Sequence, residues 1–213
     1  FSYDGQRDVL HDVSMAFPRT GMTAIVGPSG CGKSTVVNLL TGALRPQSGR
    51  VTLGGASMES LSRESYYAHL AVVSCGSHIF NDTVRANFRL ANAAVTDEAI
   101  WAALETVNLA SFVRENGGLD KDIYILDEAT SNIDIESEEI IMKAVAALAK
   151  EKAVILISHR LANVVPAEKI YAMESGGVAE CGTHAVLMAS GGGYAKLYAA
   201  QKALEEGYRE DEE

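Results

Sequence analysis

The chain has 213 residues, of which 47% are hydrophobic and 22% are charged, and its formal net charge is −10. A chain of this length can bury a sizeable core, and its excess of acids is opposite to the basic surface that nucleic-acid binding requires. No apolar run approaches the ~20 residues that cross a bilayer, and three scattered cysteines are typical of a reducing compartment. Because the chain shows no signal peptide and begins at Phe1 within a predicted strand, we expect it to be part of a longer polypeptide.

Alternating apolar and polar residues over 9–17 predict a half-buried strand, and residues 51–53, before two glycines, predict another. Together they predict an N-terminal β lobe. The apolar residues 22–26 predict a buried strand, and a helix is predicted over 36–44, ending before Pro46. Between this strand and helix stands Gly-Pro-Ser-Gly-Cys-Gly-Lys-Ser-Thr, residues 27–35. It fits the phosphate-loop pattern G-x-x-x-x-G-K-[ST] in the strand–loop–helix context that the pattern requires.

The phosphate-loop pattern has a direct chemical meaning. Its glycines let successive backbone N–H groups point inward at a helix N-terminus, where they form an anion nest. The ammonium of Lys33 is predicted to reach the β- and γ-phosphates of a nucleoside triphosphate, and the Ser34 hydroxyl is predicted to bind Mg²⁺. The residues of the loop predicted to contact the nucleotide are Gly27, Ser29, Gly30, Cys31, Gly32, Lys33, Ser34 and Thr35.

Two adjacent acids follow the next strongly apolar strand. Residues 96–98 are predicted to open a helix over 99–109 in which Trp101 packs into a core. The strand over 122–126 then ends in Asp127 and Glu128, a pattern in which the first acid binds Mg²⁺ and the second polarises a water for attack on the γ-phosphate. Asp127 is therefore a predicted metal ligand, and Glu128 a predicted catalytic base.

The remaining motifs follow in a fixed order. Leu-Asp-Glu-Ala-Thr-Ser at 126–131 leads to Asn-Ile-Asp at 132–134 and a predicted helix from Glu136. Strands are predicted at 153–157 and 169–173, and Ser-His-Arg-Leu follows the first of them at 158–161. In this order the motifs resemble those of the ATP-binding cassette (ABC) ATPases, and the resemblance runs from Phe1 to about Leu204.

The resemblance implies roles for individual residues. Tyr3 matches the aromatic residue that stacks on adenine, Asp134 matches the D-loop aspartate near the nucleotide, and His159 matches the switch histidine that contacts the γ-phosphate. Lys33, Glu128 and His159 are thus the predicted catalytic residues, with ATP and Mg²⁺ as cofactors. The C-terminal run over 182–201 resembles the end of exporter-type cassettes.

The resemblance also implies a fold and an assembly. The expected fold is α/β, a P-loop NTPase (RecA-like) core with an N-terminal antiparallel β lobe and a partial helical lobe. Residues 1–206 are expected to form one domain, with lobe and core over 1–74 and 121–206, a helical lobe over about 75–120, and an acidic tail over 207–213. The implied partners are the transmembrane domain of an ABC transporter and a second nucleotide-binding domain, in a homo- or heterodimer at the cytoplasmic face of the cell membrane, without nucleic acid.

Two features depart from the family. Lys33 and Asp127 are 94 positions apart, and no Leu-Ser-Gly-Gly-Gln signature lies between them. Roughly thirty residues, enough for that signature and the helix behind it, are absent between Asp120 and Lys121. Because a true deletion would bare apolar strand surface, we expect those residues to belong to the protein. Cys75 stands where the family has its Q-loop glutamine, and a thiol is a poor ligand for Mg²⁺.

Two further functions stay open from the sequence alone. A soluble ABC ATPase that acts on nucleic acid or ribosomes would share the motifs, although the acidic charge and the exporter-like C-terminus favour the transporter. A degenerate cassette that binds ATP and turns over slowly would also share them. Glu128 and His159 favour an active enzyme, whereas Cys75 and the missing segment favour low turnover.

Overall fold

The computed structural model describes residues 1–73, 79–122, 135–158 and 160–210, and it describes no side chains over 135–138 and 205–210. It divides into two units, Phe1–Ala71 with Leu148–Glu213 and Val72–Ala147. Several residues singled out above lie outside the described residues: Cys75, Asp127, Glu128, Asp134 and His159.

The described strands are β1 (Gly21–Val26), β2 (Thr52–Leu53), β3 (Ala56–Ser57), β4 (Ala153–Ile157), β5 (Lys169–Glu174) and β6 (Gly177–Gly182). The described helices are α1 (Lys33–Leu40), α2 (Arg63–Tyr67), α3 (Val84–Ala91), α4 (Asp97–Thr106), α5 (Ala110–Glu115), α6 (Ile135–Ala149), α7 (His184–Ser190) and α8 (Gly193–Glu210). The strands predicted at 153–157 and 169–173 are confirmed as β4 and β5, and the α/β class is confirmed with them. The strand predicted over 122–126 lies, apart from Asp122, outside the described residues.

A four-stranded sheet in the order β4-β1-β5-β6 forms the centre of the first unit. Strand β1 is buried along its whole length because parallel partners flank it on both sides. Ile25 pairs with Ile157 of β4 and with Tyr171 of β5. Parallel strands end at one edge, so the segments that follow β1 and β4 leave the sheet side by side. This edge is where ligands bind in open parallel sheets.

The prediction of a strand over residues 9–17 is wrong. The segment bonds elsewhere: the Val9 and Leu10 amides donate to the carbonyl of Phe1, and the His11 amide donates to that of Gly176. Asp12 adopts a left-handed conformation with φ +48°, which interrupts an extended chain. Of the antiparallel lobe expected near the N-terminus, the described residues keep the short hairpin β2–β3.

The helix predicted from Glu136 is confirmed as α6, which begins at Ile135. The bounds of α1 and α4 differ more from the predicted ones. Helix α1 starts at Lys33, three residues earlier than predicted, because the loop passes directly into it. It ends at Leu40, since Gly42 follows with φ +72°. Helix α4 begins one residue after Thr96, whose hydroxyl accepts the amide of Ala99 at 3.3 Å. The predicted N-terminal cap is therefore confirmed.

The second unit packs α3, α4 and α5 around its own small core. The buried members of that core are Val84, Ile100, Leu104, Ala110 and Leu119, and Trp101 packs against them as predicted. The Arg114 guanidinium lies 4.7 Å from the centre of the Trp101 ring, a cation–π contact that covers the outer face of the indole.

The chain passes without interruption from Asp120 to Lys121. Residues 118–120 form a 3-10 turn closed by the Lys121 amide, which donates to Gly118 at 3.2 Å. The carbonyl of Lys121 accepts the amide of Val84, and Asp122 bridges to Thr83. The expectation that roughly thirty further residues belong to the protein at this junction stays a prediction. Within the described part of the chain, no helix combines the length and apolarity needed to cross a membrane.

Candidate functional site

Three glycines of the loop between β1 and α1 adopt backbone conformations with positive φ. Gly27, Gly30 and Gly32 have φ angles of +148°, +77° and +102°, in the region that L side chains avoid. A Cβ at Gly27 would collide with the carbonyl oxygen of Met173 in β5 and lie 2.8 Å from Cys31 Sγ. The loop backbone thus runs tightly against the sheet, whereas Gly30 has open space around it.

Lys33 folds back over the loop that precedes it. Its Nζ donates to the carbonyl oxygens of Gly27 and Pro28 at 2.7 and 2.8 Å, and it lies 3.8 Å from Cys31 Sγ. The residue is only 6% exposed. A positive charge is therefore held inside the concave side of the loop, where the sequence predicts that phosphate binds. Because these carbonyl groups are neutral, the ammonium can exchange one of them for a phosphate oxygen, which would form a stronger, charge-assisted hydrogen bond.

The N-terminus of α1 presents donors to the same loop. Gly32 is its N-cap and has no side chain to accept the first-turn amides. The dipole of this eight-residue helix adds positive potential at that end. Ser34 is exposed there, in accord with a role as ligand, whereas Thr35 is buried.

Tyr3 is brought to the loop by a side-chain contact. Its hydroxyl lies 3.1 Å from Thr35 Oγ1, its ring is 61% exposed, and its edge meets Phe1 with centroids 5.1 Å apart. The segment is anchored because the Gln47 amide donates to Ser2 O at 2.7 Å while its oxygen accepts the Ser2 amide. An exposed aromatic face next to the phosphate loop is what stacking on a base requires.

Asp4 closes the turn that carries Tyr3. Its carboxylate accepts the amides of Gln6 and Arg7 and the hydroxyl of Ser2, and these hydrogen bonds lower the pKa of Asp4. Asp4 therefore stays ionised at neutral pH and keeps this turn closed.

The turn after β4 is fixed from two directions. Ser158 Oγ accepts the Arg160 amide at 3.0 Å and donates to the Arg160 carbonyl at 2.9 Å. The Leu161 amide donates to Gln201 Oε1 of α8 at 2.9 Å. These contacts hold the residues on both sides of position 159 at the sheet edge that carries the phosphate loop.

The structure thus brings together part of the predicted site. Tyr3 and the loop residues from Gly27 to Thr35 meet, whereas the predicted Mg²⁺ ligand Asp127, the predicted base Glu128, Asp134 and His159 lie outside the described residues. Within the described residues, no group of three His, Cys, Asp or Glu side chains is arranged to hold a metal ion. Sequence reasoning missed the contact from Gln201 to Leu161, although the spacing of Tyr194, Leu197, Tyr198 and Gln201 on one helical face was a signal for it.

Comparisons with known proteins agree with this geometry. Residues 10–121 match the family model described as ABC transporter. An ABC transporter ATP-binding protein of Haemophilus influenzae is 39% identical over 97% of this chain and 42% of that protein. An ATP-dependent lipid A-core flippase of Haemophilus ducreyi is 34% identical over 94% of this chain and 40% of that protein. The chain spans about two fifths of the length of these relatives.

A solved structure supports the same fold. It is described as a bacterial Atm1-family ABC exporter with ATP bound, and it superposes with a TM-score of 0.86 at 29% identity over 95% of this chain and 41% of the exporter. The family match ends at residue 121, where the signature segment is missing. The alignment with the H. influenzae relative spans 233 positions against 213 residues, so at least 20 aligned positions have no counterpart here.

Proposed function

The chain belongs to the ABC transporter family, and from this premise we propose that it is the ATP-binding and ATP-hydrolysing domain of an exporter-type transporter. The observation that carries the proposal is the glycine loop with the Lys33 ammonium held against its own carbonyl groups. The similarity of its fold to that of an ABC exporter whose description includes bound ATP supports it.

The residues present fit a nucleoside triphosphate with Mg²⁺. The close approach of Gly27 to β5 leaves no room for a side chain, which fits a loop shaped for backbone donors. Lys33 would hold the β- and γ-phosphates, and Ser34 and Asp127 would hold the metal ion, which supplies charge neutralisation at the phosphates. Tyr3 would stack on the base. The donor set of hydroxyl and carboxylate oxygens suits Mg²⁺.

In the proposed reaction, Glu128 accepts a proton from the attacking water, and His159 donates a hydrogen bond to the γ-phosphate. Asp134 would lie near the nucleotide as part of the D-loop. The partners would be a transmembrane domain and a second nucleotide-binding domain, at the cytoplasmic face of the cell membrane. We propose that ATP hydrolysis there drives conformational change in the membrane partner.

A second candidate function is a degenerate cassette that binds ATP and turns over slowly. The feature that favours it is the absence of a Leu-Ser-Gly-Gly-Gln signature between Lys33 and Asp127 in this sequence. In the family, that motif closes the ATP site of the partner domain. A chain without it would rely on a partner that retains its own signature.

Two measurements test these functions. Titration with a fluorescent ATP analogue and Mg²⁺ should show binding by the parent chain and weaker binding by Lys33→Ala, because the variant loses a charge at the phosphates while the backbone nest remains. Equal affinity of both proteins would contradict nucleotide binding at this loop. Phosphate release by the parent chain and by Glu128→Gln then separates the candidates.

For an active enzyme, the Glu128→Gln variant should keep nucleotide affinity and lose roughly two to four decades of turnover, the usual contribution of a positioned base. For a degenerate cassette, the parent should bind nucleotide with turnover already near that of the Glu128→Gln variant. Repeating the assay in the presence of a partner cassette that carries a signature shows whether turnover depends on the partner.

A further inference from the structure

The side chain of Gln201 joins the C-terminal helix to the turn after β4. Its Oε1 accepts the amide of Leu161 at 2.9 Å, and Leu161 is the first residue of a 3-10 turn that extends to Val164. The described residues give this turn no capping side chain from its own N-cap, Arg160. Gln201 therefore fills the role of a cap from a distant part of the chain.

The environment of this contact makes it consequential. Leu161 is 3% exposed and Val164 is fully buried, so the Leu161 amide has little access to water. A buried donor without a partner is costly, and the turn would rearrange to avoid that state. The position of the turn backbone consequently depends on where α8 places its amide oxygen.

Helix α8 is itself held firmly at its start. The Glu180 carboxylate accepts the amides of Gly193 and Tyr194 at 2.5 and 3.3 Å. Tyr194 is 1% exposed, and its hydroxyl lies 2.8 Å from His184 Nδ1. Gln201 is seven residues further along, on the same helical face as Tyr194. Anchoring of the first turns therefore fixes the location of the Gln201 side chain.

The turn after β4 lies next to residue 159, for which a role at the nucleotide is proposed above. Ser158 and Arg160, the residues before and after position 159, are hydrogen-bonded to each other, and Gln201 holds Leu161, the next residue along the chain. We propose that Gln201 is a positioning residue, which acts through the Leu161 backbone to set the turn after β4 against the γ-phosphate. This inference rests on the proposed function, since it takes from that function the role of His159.

The test separates recognition of the γ-phosphate from binding of the rest of the nucleotide. Gln201→Met keeps the length of the side chain and removes the acceptor, whereas Gln201→Glu keeps an acceptor oxygen at the same reach. Lys196→Ala, at an exposed position of the same helix, is the matched control. Each protein is titrated with MgADP and with a non-hydrolysable ATP analogue in Mg²⁺, and its thermal unfolding is recorded.

Gln201→Met is expected to weaken binding of the triphosphate analogue by about three- to tenfold, the effect of one hydrogen bond, without a change in MgADP affinity. Gln201→Glu should restore most of the preference for triphosphate, and Lys196→Ala should match the parent. Hydrogen exchange at the Leu161 amide should accelerate in Gln201→Met and not in Lys196→Ala.

Three results overturn the proposal in distinguishable ways. If Gln201→Met lowers the affinity for both nucleotides equally and also lowers the melting temperature, Gln201 has only a structural role. If binding and Leu161 exchange are those of the parent, the contact does not position the turn. If the parent binds neither nucleotide, the proposed function fails and this inference fails with it.

Discussion

Replacement of Gly27 by alanine tests whether the phosphate loop is shaped by its approach to the sheet. Alanine at this position would adopt a positive φ and place its Cβ against the Met173 carbonyl, which belongs to the backbone of β5 and cannot rotate away. Gly30→Ala is the matched control, because Gly30 also has a positive φ but has nothing within 4 Å of the added Cβ.

The expected magnitudes follow from these two environments. In both variants the unfavourable backbone conformation lowers the free energy of unfolding by about 1–3 kcal/mol. Alanine also restricts the unfolded chain, which raises it by about 0.4–1 kcal/mol. In Gly27→Ala, overpacking against the sheet destabilises the protein by a further amount of about 1–3 kcal/mol. The free energy of unfolding should therefore fall by about 1 kcal/mol in Gly30→Ala and by about 3 kcal/mol in Gly27→Ala.

Urea unfolding followed by far-ultraviolet circular dichroism measures this difference. With a denaturant slope of about 2 kcal/mol per molar, the midpoint of Gly27→Ala should lie about 1 M below that of Gly30→Ala. Nucleotide affinity should follow the same order, since displacement of the loop moves its donors. Equal midpoints for the two variants would refute the argument that contact with β5 shapes the loop.

Two further changes test the core and the C-terminal helices. Among the described residues, the Thr23 hydroxyl is a buried group without a hydrogen-bond partner. Thr23→Val should therefore raise the free energy of unfolding by about 1 kcal/mol. A variant that is less stable than the parent in urea unfolding would show that the hydroxyl has a partner. Burial raises the pKa of Tyr194 to about 12 from 10.0. Above pH 10 the folded state keeps the phenol proton that the unfolded state loses. The stabilisation by protonated Tyr194, roughly 2 kcal/mol, is therefore fully present below pH 10 and is lost as the pH rises towards 12. The stability gap between the parent and Tyr194→Phe should therefore narrow between pH 10 and 12, and a constant gap in denaturant unfolding would contradict the assigned pKa.

The sequence alone predicted those features of the site that depend on a short run of contiguous residues. The pattern over residues 27–35 predicted the strand, the loop and a helix after them, because a phosphate loop needs glycines and a lysine at fixed spacing, although the helix begins three residues earlier than predicted. The Thr96 cap and the apolar face that holds Trp101 were predicted from local chemistry in the same way. The roles of Asp127, Glu128, Asp134 and His159 stay predictions.

Prediction failed where distant groups compete for backbone hydrogen bonds. The alternation over residues 9–17 is typical of a strand, yet the Tyr171 hydroxyl accepts the Ala16 amide and Gly176 accepts that of His11. Both partners lie more than 150 residues away, and no local pattern contains them. The absence of the signature between Lys33 and Asp127 is visible in the sequence alone.

The sequence by itself determined the family, the phosphate loop and the chemical character of the proposed site, since these depend on residue type and spacing. Only the tertiary structure decided that Lys33 folds back onto the loop carbonyls, that Tyr3 reaches Thr35, and that Gln201 holds the turn at Leu161. The last two contacts join residues that lie 32 and 40 positions apart, so no local pattern contains them, and buried polar groups bond to the partners that the fold places within reach.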